Sequence, residues 1–366
     1  MNKRYMNLYD QVRRDIIEGR YEKGSKLPSK RVMAESMGVS VITVEHAYEL
    51  LDEEGYITPR QKSGYFVTFD DSDVYLTDAK ESAIYKPVSD QRINSIHVDD
   101  DNKEGEPVIS HSLYAKTVRR VLSEYPYEIM SRSPMYGVER LRSVIADYLI
   151  RGRRMNVSPD DIVIGAGAEY LYGLIVQTFG RDVIYGIESP SYQKIAKVYE
   201  SDGADLEFLE LGSDGIESSE LWKTKAGVLH ITPYRSFPSG VTASASKKRE
   251  YLRWADKKDA IIIEDDFESE FTPSRKPEET LFSLDTQERV IYVNTFTRTI
   301  GTYVRIAYMV VPERLRERLE SKVGFYECPV PALDQYVIAG LIENGDFERH
   351  INRVRRFNRR KQLSVT

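Results

Sequence analysis

The chain is 366 residues long, and 41% of it is hydrophobic and 30% charged, which is enough apolar material for two or three globular domains. Its formal net charge of −6 excludes a protein that is basic over its whole surface, although a local positive patch for nucleic acid remains compatible with it. One cysteine excludes an intrachain disulfide, and the five histidines show no ligand spacing, so we expect no metal site. No leader-like segment and no run of about 18 apolar residues occurs, so we expect a cytoplasmic protein without a membrane partner.

Helical spacing of apolar residues predicts the first two helices of the chain. The first covers residues 3–20. The second follows Ser29, a preferred N-cap residue, and ends at Gly38, because glycine commonly stops a helix. The predicted inward faces carry Leu8, Val12 and Ile16 in the first helix and Val32, Met33 and Met37 in the second.

A third helix and a hairpin complete the N-terminal region. The helix follows Ser40 and ends at Gly55. Its predicted inward residues are Val44, Ala47, Tyr48 and Leu51, and its predicted outward residues are Val41, Ile42, Thr43, Glu45 and His46. Strands at 56–59 and 65–68 are joined by a basic turn. This order of elements predicts a winged helix–turn–helix domain over residues 1–68.

The same region resembles the GntR family of bacterial regulators. The signature of that family, G-x-K-L-P-S-x-R-x-x-A-x-x-x-G-V-S-x-x-T-V-x-x-A-Y-x-x-L-x-x-E-G-Y, is present nearly throughout residues 24–56, with Val41 in place of the usual arginine. The resemblance implies that the third helix enters the major groove of DNA and that the wing contacts phosphates. The DNA-binding residues that we expect are Lys30, Arg31, Ser40, Val41, Thr43, Glu45, His46, Arg60, Lys62 and Gly64.

The charge of this region bears on how it binds DNA. Residues 1–68 hold eleven lysines and arginines against ten acidic residues, so one copy has little net positive charge. We therefore expect a homodimer that binds paired half-sites of a double-stranded operator. The alternative is that these charges form only a solvated face. Residues 69–106 are acidic and aperiodic, which predicts a linker to a second domain at 107–345.

Helices and strands alternate through the second domain. The predicted helices cover residues 112–123, 137–149, 168–179 and 247–257, and the predicted strands cover 161–165, 183–187, 226–231, 260–264, 290–293 and 306–311. Continuous apolar strands between amphipathic helices predict a mostly parallel sheet that is covered on both faces. Ligands of such sheets bind at the carboxyl ends of the strands, where the polar loops of this domain lie.

One polar loop of this domain carries a family motif. Residues 295–302 join two apolar strands and resemble the segment GTFSKxLxPxxRxGY of MocR-type regulators, which fuse a winged helix to a fold-type I aminotransferase-like domain. Residues 136–360 follow the motif order of that α/β/α domain, which in the family binds pyridoxal phosphate through a lysine. Arg298 stands at the position of that lysine. A guanidinium group stays charged and cannot attack an aldehyde, so we expect no catalytic residue and no covalently held cofactor.

The resemblance also implies roles for other residues of the pocket. The turn formed by Gly167, Ala168 and Glu169 corresponds to the donors for the cofactor phosphate, although such sequences are more often only tight turns. Tyr192 corresponds to the aromatic ring that stacks on the pyridine ring, and its alternative is ordinary packing. Asp265 corresponds to the carboxylate that keeps the pyridine nitrogen protonated.

Further positions keep or lose contacts of the family. Thr297 and Arg305 correspond to phosphate-binding residues, and the apolar flanks of Arg305 argue against an ordinary surface position. Phe267 stands where the family has a tyrosine that bonds to the ring, and Arg235 with Ser236 replaces the His-Gln of TPxHQFPxG. We therefore expect a pocket that holds pyridoxal or pyridoxamine phosphate noncovalently or that accepts another small anion.

Residues 346–366 resemble the start of the family's small C-terminal domain, which usually carries an arginine for a substrate carboxylate. The sequence stops at Thr366, so we expect this domain to be incomplete. Together these features indicate a DNA-binding transcription regulator whose aminotransferase-like domain dimerises and senses a small anionic effector. One alternative is a working aminotransferase with a DNA-binding appendage. The other is a regulator whose second domain is only a dimerisation scaffold.

Overall fold

The computed structural model describes residues 3–60, 63–69, 108–272, 278–301 and 303–365. The chain divides into two compact units, residues 1–98 and 99–366. Most of the predicted acidic linker, residues 70–106, lies outside the described residues, so the linker and the domain boundaries stay predictions.

The described residues of the first unit form three helices and a two-stranded antiparallel sheet. Its elements are α1 (Lys3–Ile17), α2 (Lys30–Met37), α3 (Val41–Glu53), β1 (Ile57–Arg60) and β2 (Gly64–Val67). The Oγ atom of Ser29 caps α2, since it accepts a hydrogen bond from the amide of Val32 at 3.3 Å. Gly38 has a φ of 61° and ends α2 in the left-handed conformation that glycine adopts readily. Both ends of α2 are therefore set by the residues that the sequence indicates.

An apolar core joins the elements of the first unit. It includes Leu8, Val12, Ile16, Met33, Val44, Ala47, Tyr48 and Leu51, which confirms the inward faces predicted for α1 and α3. Val32 is 55% exposed, so its predicted inward position is wrong. The first hairpin strand begins one residue later than predicted, and the second begins one residue earlier. The ladder starts with the pair of buried residues Ile57 and Val67.

The second unit contains a seven-stranded sheet covered by helices. Its strands are β3 (Ile162–Gly165), β4 (Ile184–Ser189), β5 (Asp205–Glu210), β6 (Val228–Ile231), β7 (Ile261–Asp265), β8 (Val290–Thr295) and β9 (Ala307–Val310). Its helices are α4 (His111–Glu124), α5 (Glu139–Arg153), α6 (Ala168–Phe179), α7 (Gln193–Ser201), α8 (Ser218–Lys223), α9 (Ala245–Lys258), α10 (Leu281–Leu284), α11 (Phe296–Ile300), α12 (Glu313–Val323), α13 (Ala332–Glu343) and α14 (Asp346–Val365). Among the helices that the structure describes, none has the length and apolar character needed to cross a lipid bilayer.

The strand order of this sheet is β3-β9-β8-β7-β6-β4-β5. Strands β5, β4, β6, β7 and β8 run parallel, whereas β9 is antiparallel to both of its neighbours. Alternate residues of a strand enter different layers: Ile162 and Ile164 join the core that includes α5 and α13, and Val163 joins the core that includes α6 and α12. The predicted α/β/α fold with a mostly parallel sheet is confirmed.

Several elements of the second unit were missing from the sequence prediction. Strand β5 lies at the edge of the sheet and buries only Leu209, so it lacks a continuous apolar run. Helix α12 is rich in charged residues, and its buried face consists only of Leu315, Leu319 and Val323. The polar loop predicted at 295–302 contains the short helix α11.

Cys328 is the only cysteine of the chain, and it is buried beside β3 in the second unit. Its thiol donates to the carbonyl oxygen of Ile164 at a distance of 3.5 Å between sulfur and oxygen. Burial raises the pKa of this thiol to about 11, so the group stays protonated at neutral pH.

Candidate functional sites

The surface of the first unit that the sequence assigns to DNA lies around the start of α3. Val41 and His46 on α3 are exposed, and Arg31 on the preceding helix is exposed as well. Ser40 caps α3, because its Oγ accepts a hydrogen bond from the amide of Thr43 at 3.1 Å. The cap fixes the direction of the first turn, from which side chains can reach base edges.

Two of the assigned residues are not placed as expected. Thr43 is only 8% exposed and its Oγ1 lies 2.8 Å from Oγ of Ser40, so the prediction that it faces outward is wrong. Glu45 Oε1 lies 2.5 Å from Lys30 Nζ, and this pair joins α2 to α3. The contact raises the pKa of Lys30 and lowers the pKa of Glu45. Both charged groups are therefore engaged with each other in this structure.

The wing of the first unit carries Arg60 at the end of β1. Its guanidinium carbon lies 4.3 Å from the centroid of the Phe66 ring, and the side chain is exposed. Gly64 has a φ of 104°, a backbone conformation that residues with a side chain rarely adopt, so this position favours glycine. Lys62 lies outside the described residues. The described part of the wing therefore presents one of the two predicted phosphate contacts.

In the second unit, the ends of three strands bring the predicted phosphate contacts to one edge of the sheet. Ala307, at the start of β9, pairs with the last residue of β3 and with the last residue of β8. Arg305 precedes β9, Gly167 follows β3 and Thr297 follows β8, so the three residues lie at that edge. Because β9 is antiparallel to both neighbours, it delivers Arg305 to the carboxyl edge of the sheet, beside the start of α6 at Ala168.

Arg305 contacts the first turn of α6. Its Nη2 atom lies 2.9 Å from Glu169 Oε2, and a Cβ atom at Gly167 would lie 2.8 Å from the same nitrogen. Thr297 instead donates its hydroxyl to the carbonyl oxygen of Val304 at 2.7 Å. The Arg305 side chain is 56% exposed, so the prediction that it avoids the surface is wrong. Its apolar neighbours are buried because successive side chains of an extended chain point in opposite directions.

Asp265 ends β7 and is buried within a polar network. The hydroxyl of Tyr172 donates to its Oδ2 atom, and Nε2 of His230 lies 3.5 Å from the same oxygen. The hydroxyl of Tyr199 and Nδ1 of His230 are 2.8 Å apart. Burial and the charge of Asp265 raise the pKa of Tyr172, so the phenol keeps the proton that it donates. Sequence reasoning missed these three partners, because they lie on separate elements whose spacing signals only apolar faces.

Glu188 lies near the end of β4 and is also buried. Ser236, one of the residues that replace the family's His-Gln, donates its hydroxyl to Glu188 Oε2 at 2.6 Å. Burial raises the pKa of Glu188 to about 7, and the nearby Asp265 contributes to the rise. The charge close to Asp265 therefore changes with pH near neutrality.

Tyr192 precedes α7 and is half-buried. Its ring makes an edge contact with Phe237 at a centroid distance of 6.1 Å, and Nζ of Lys194 lies 5.5 Å from its centroid. Tyr192 and Glu169 raise the pKa of Lys194, while Arg305 lowers it. Lys194, which the sequence did not single out, therefore belongs to the same edge of the sheet as the predicted phosphate contacts.

Arg298 lies on α11 with a side chain that is only 8% exposed. Its Nη2 atom is 3.8 Å from Glu268 Oε1, and its guanidinium carbon is 5.1 Å from the centroid of the Phe271 ring. Arg235 Nη1 lies 3.6 Å from the other carboxylate oxygen of Glu268. Phe267, half-buried, offers an apolar ring where the family has a hydroxyl. Residues that replace the family's lysine and histidine are thus joined through one carboxylate.

Comparisons with known proteins agree with these two units. Residues 4–67 match the family described as bacterial regulatory proteins, gntR family. The helix–turn–helix-type transcriptional regulator YdeL of Bacillus subtilis is 30% identical over 361 residues, which cover 99% of this chain and 78% of YdeL. The pyridoxine biosynthesis transcriptional regulator PdxR of Corynebacterium glutamicum is 28% identical, over 98% of this chain and 77% of PdxR. MocR of Rhizobium meliloti, a probable rhizopine catabolism regulatory protein by its name, is 27% identical, over 98% of this chain and 75% of MocR.

The chain is also similar to solved aminotransferase structures. An archaeal alanine:glyoxylate aminotransferase superposes with a TM-score of 0.61 and 26% identity, over 67% of this chain and 64% of that enzyme, so the chain spans just under two thirds of the enzyme's length. The N-terminal signature, the α/β/α sheet and the similarity to YdeL along nearly the whole chain lead to one conclusion. This chain belongs to the GntR family of bacterial regulators and is a DNA-binding transcription regulator of the MocR type, with an aminotransferase-like domain.

Proposed function

We propose that this regulator binds its operator as a homodimer and that its second unit senses a small anionic molecule, with pyridoxal or pyridoxamine phosphate as the first candidates. The observation that carries the proposal is a buried carboxylate, Asp265, at the same sheet edge as an accessible guanidinium, Arg305. A buried carboxylate suits a protonated ring nitrogen, and a guanidinium beside a helix start suits a phosphate.

The described residues fit this cofactor at three points and oppose it at one. Asp265 suits the ring nitrogen, Tyr192 offers an aromatic face, and Arg305 with the first amides of α6 suits the phosphate. Glu169 opposes the phosphate, because its carboxylate lies on Arg305 and has to move away. When bound, the cofactor supplies an electron-withdrawing ring, and the residues of this chain hold and orient that ring.

We propose further that the protein has no aminotransferase activity. Arg298 keeps its charge and contacts Glu268, so it offers no neutral amine for covalent attachment. The relatives YdeL and PdxR carry the names of regulators, which supports the same conclusion. The name of PdxR also connects a relative to pyridoxine biosynthesis, which supports a pyridoxine-related ligand here.

Calorimetric titration with pyridoxamine phosphate tests the sensing proposal. We expect Arg305→Gln to weaken binding by roughly tenfold or more, since it removes a charge-assisted hydrogen bond. Arg314→Gln is the matched control: Arg314 is also partly exposed and ion-paired, to Asp259, but it lies at the amino-terminal edge of the parallel strands. Absence of binding to the wild type would overturn sensing of this compound.

Borohydride reduction after incubation with pyridoxal phosphate tests the absence of covalent attachment. We expect no pyridoxyl label in peptides of the wild type, because residue 298 is an arginine. Arg298→Lys is expected to gain a label at that residue. A labelled lysine in the wild type, such as Lys194 beside Tyr192, would overturn this part of the proposal.

Sedimentation of the protein with and without residues 1–100 tests the dimer. The second unit is compact by itself, and we expect it to carry the main dimer interface. The truncated chain should therefore remain a dimer. A monomer after truncation would show that the first unit or the linker holds the copies together.

Gel retardation with the regulator's own promoter region tests DNA recognition. Arg31→Ala should weaken binding to the operator, whereas Arg60→Ala should weaken binding to all duplexes alike, because phosphate contacts carry no sequence information. A complex that does not survive excess nonspecific DNA would contradict sequence-specific binding.

A further inference from the structure

Three neighbouring strands of the second unit are followed by charged residues that contact one another. Strands β6, β7 and β8 are parallel and adjacent in this order. Arg235 follows β6, Glu268 follows β7, and Arg298 lies on the helix after β8. Glu268 Oε2 faces Arg235 Nη1 at 3.6 Å, and Glu268 Oε1 faces Arg298 Nη2 at 3.8 Å. Each carboxylate oxygen of Glu268 therefore faces a different guanidinium group.

A side-chain contact orients Arg298, and a backbone contact fixes the start of the Arg235 side chain. Arg298 is almost enclosed, and its guanidinium lies over the ring of Phe271 at a cation–π distance. The backbone of Arg235 is in the left-handed region with a φ of 52°, and its amide donates to Oγ1 of Thr242 at 3.1 Å. This backbone conformation is uncommon for a residue other than glycine, and Arg154, Asp259 and Glu288 share it among the described residues. The enclosure of Arg298 is the more specific feature, because an ordinary solvated charge does not require it.

The two contacts of Glu268 are ion pairs at distances longer than hydrogen bonds. N–H···O hydrogen bonds in proteins span about 2.7–3.2 Å, and charge-assisted ones lie at the short end of that range. Glu268 is attached to the backbone after β7 and does not reach these distances to either arginine. A carboxylate on a small molecule has no such tether, so it can approach the planar guanidinium groups closely enough for paired hydrogen bonds.

We propose that Arg235 and Arg298 form a carboxylate subsite of the effector pocket, and that Glu268 occupies this subsite until the carboxylate of the effector replaces it. The inference rests on the proposed function, since it adds one anchor to a ligand held at Asp265 and Arg305. Asp265 ends the strand that Glu268 follows, so both anchors lie at one edge of the sheet. The ligand class that fits both anchors is a phosphopyridoxyl group joined to an amino acid with a free carboxylate.

Two probes separate this subsite from the rest of the pocket. Pyridoxamine phosphate and N-(5'-phosphopyridoxyl)glycine differ only by a carboxymethyl group on the amine. Each is titrated into the full-length protein by calorimetry. The wild type is expected to bind the glycine derivative at least about tenfold more tightly, which corresponds to about 1.4 kcal/mol.

Substitutions of the two arginines test whether these residues cause the tighter binding of the glycine derivative. Arg298→Gln and Arg235→Gln should each abolish it and leave the affinity for pyridoxamine phosphate within roughly twofold of the wild type. Arg314→Gln should keep it. Because Arg235 is exposed, its variant decides the test if Arg298→Gln fails to fold. A preference that persists in Arg235→Gln would overturn the proposed subsite.

The direction in which Glu268→Gln changes the affinity for the glycine derivative tests whether Glu268 is replaced by the ligand. If Glu268 competes with the ligand, its substitution should raise the affinity for the glycine derivative several-fold and leave that for pyridoxamine phosphate unchanged. A lower affinity for the glycine derivative would overturn the exchange, since it would show that Glu268 only orients the arginines. Equal affinities of the wild type for both probes would overturn the subsite and leave the proposed function intact. Binding of neither probe would overturn both.

Discussion

The two units distribute their charged residues in opposite ways. In the first unit, the residues assigned to DNA surround an apolar core, and even the pair Lys30–Glu45 stays partly exposed. In the second unit, Asp265, Asp266 and Glu270 are buried and bonded to tyrosine or arginine side chains. An exposed side chain can change without its neighbours, whereas a buried charge that loses its partner is costly. We therefore expect single substitutions on the DNA face to leave the fold stable. In the second unit, we expect a change of one buried charge to require matching changes in the residues that it contacts.

The largest expected effect breaks a buried charged network of the second unit. Asp266 Oδ2 accepts hydrogen bonds from Arg153, from Ser269 at 2.7 Å and from Tyr292 at 2.9 Å. Asp266→Ala should lower the free energy of unfolding by about 3–5 kcal/mol, because it leaves a buried guanidinium without this carboxylate. Urea denaturation measures the loss.

The control for this experiment is an exposed ion pair of the same unit. Arg132 Nη1 and Glu327 Oε1 lie 3.0 Å apart, and both side chains are mostly exposed. Glu327→Ala should cost much less stability than Asp266→Ala, since solvent screens the pair. Similar losses for Glu327→Ala and Asp266→Ala would remove the distinction between buried and exposed charge.

The second expected effect is a pH dependence that arises from buried carboxyl groups of the second unit. Burial raises the pKa values of Glu188, Glu264 and Glu270 from 4.5 to about 7. Between these values the folded state holds protons that the unfolded state releases, so stability is greatest below the unfolded pKa and falls as the pH rises through about 7. Each carboxyl contributes up to about 3 kcal/mol to that fall.

Glu188→Gln tests this dependence at one residue. The amide oxygen of glutamine can still accept the hydroxyl of Ser236, and the group no longer ionises. The variant should gain stability over the wild type at pH 8 and much less at pH 5, as measured by urea denaturation. The same difference at both values of pH would contradict a raised pKa at Glu188.

The third effect is smaller and concerns the cap of α3 in the first unit. Ser40→Ala should destabilise this unit by about 1 kcal/mol, because the amide of Thr43 loses its acceptor. Thr43→Val keeps the buried shape, so operator discrimination should remain. Thermal unfolding and gel retardation of both variants provide the comparison. Loss of discrimination in a folded Thr43→Val protein would show that the hydroxyl reads a base.

The smallest effect is expected at the pair Lys30–Glu45. A double-mutant cycle should give only a small coupling, because solvent screens the charges of exposed pairs. Glu45→Gln releases the ammonium group of Lys30 for DNA phosphates, so binding to all duplexes should tighten at low salt. Weaker binding of that variant to the operator alone would instead assign base contact to Glu45.

The sequence predicts the first unit well because its signals are local. Ser29, Gly38 and Ser40 act on helix ends next to them in the chain, and they set the ends of α2 and the start of α3. The parallel strands were predicted for a related reason, since burial on both faces selects continuous apolar runs. Strand β5 was missed because an edge strand with one buried residue carries no such run.

The pocket was predicted only in part, because its contacts depend on the order of the strands. The family motifs identify Asp265, Arg298 and Arg305 as positions of interest. They do not show that Arg298 contacts Glu268, since that contact requires β7 and β8 to be neighbours. Nor do they show that Tyr172 is the donor to Asp265, because spacing along α6 reports its apolar face and not the end of a distant strand.

The single thiol of the chain can be used to measure local opening of the second unit. Cys328 is buried against β3 and stays protonated at neutral pH, so a thiol reagent reacts with it only after the surrounding structure opens. The first unit contains no cysteine and is silent to the same reagent. The rate of thiol modification, measured with and without an added ligand, therefore reports local opening of the second unit in the full-length protein without any label.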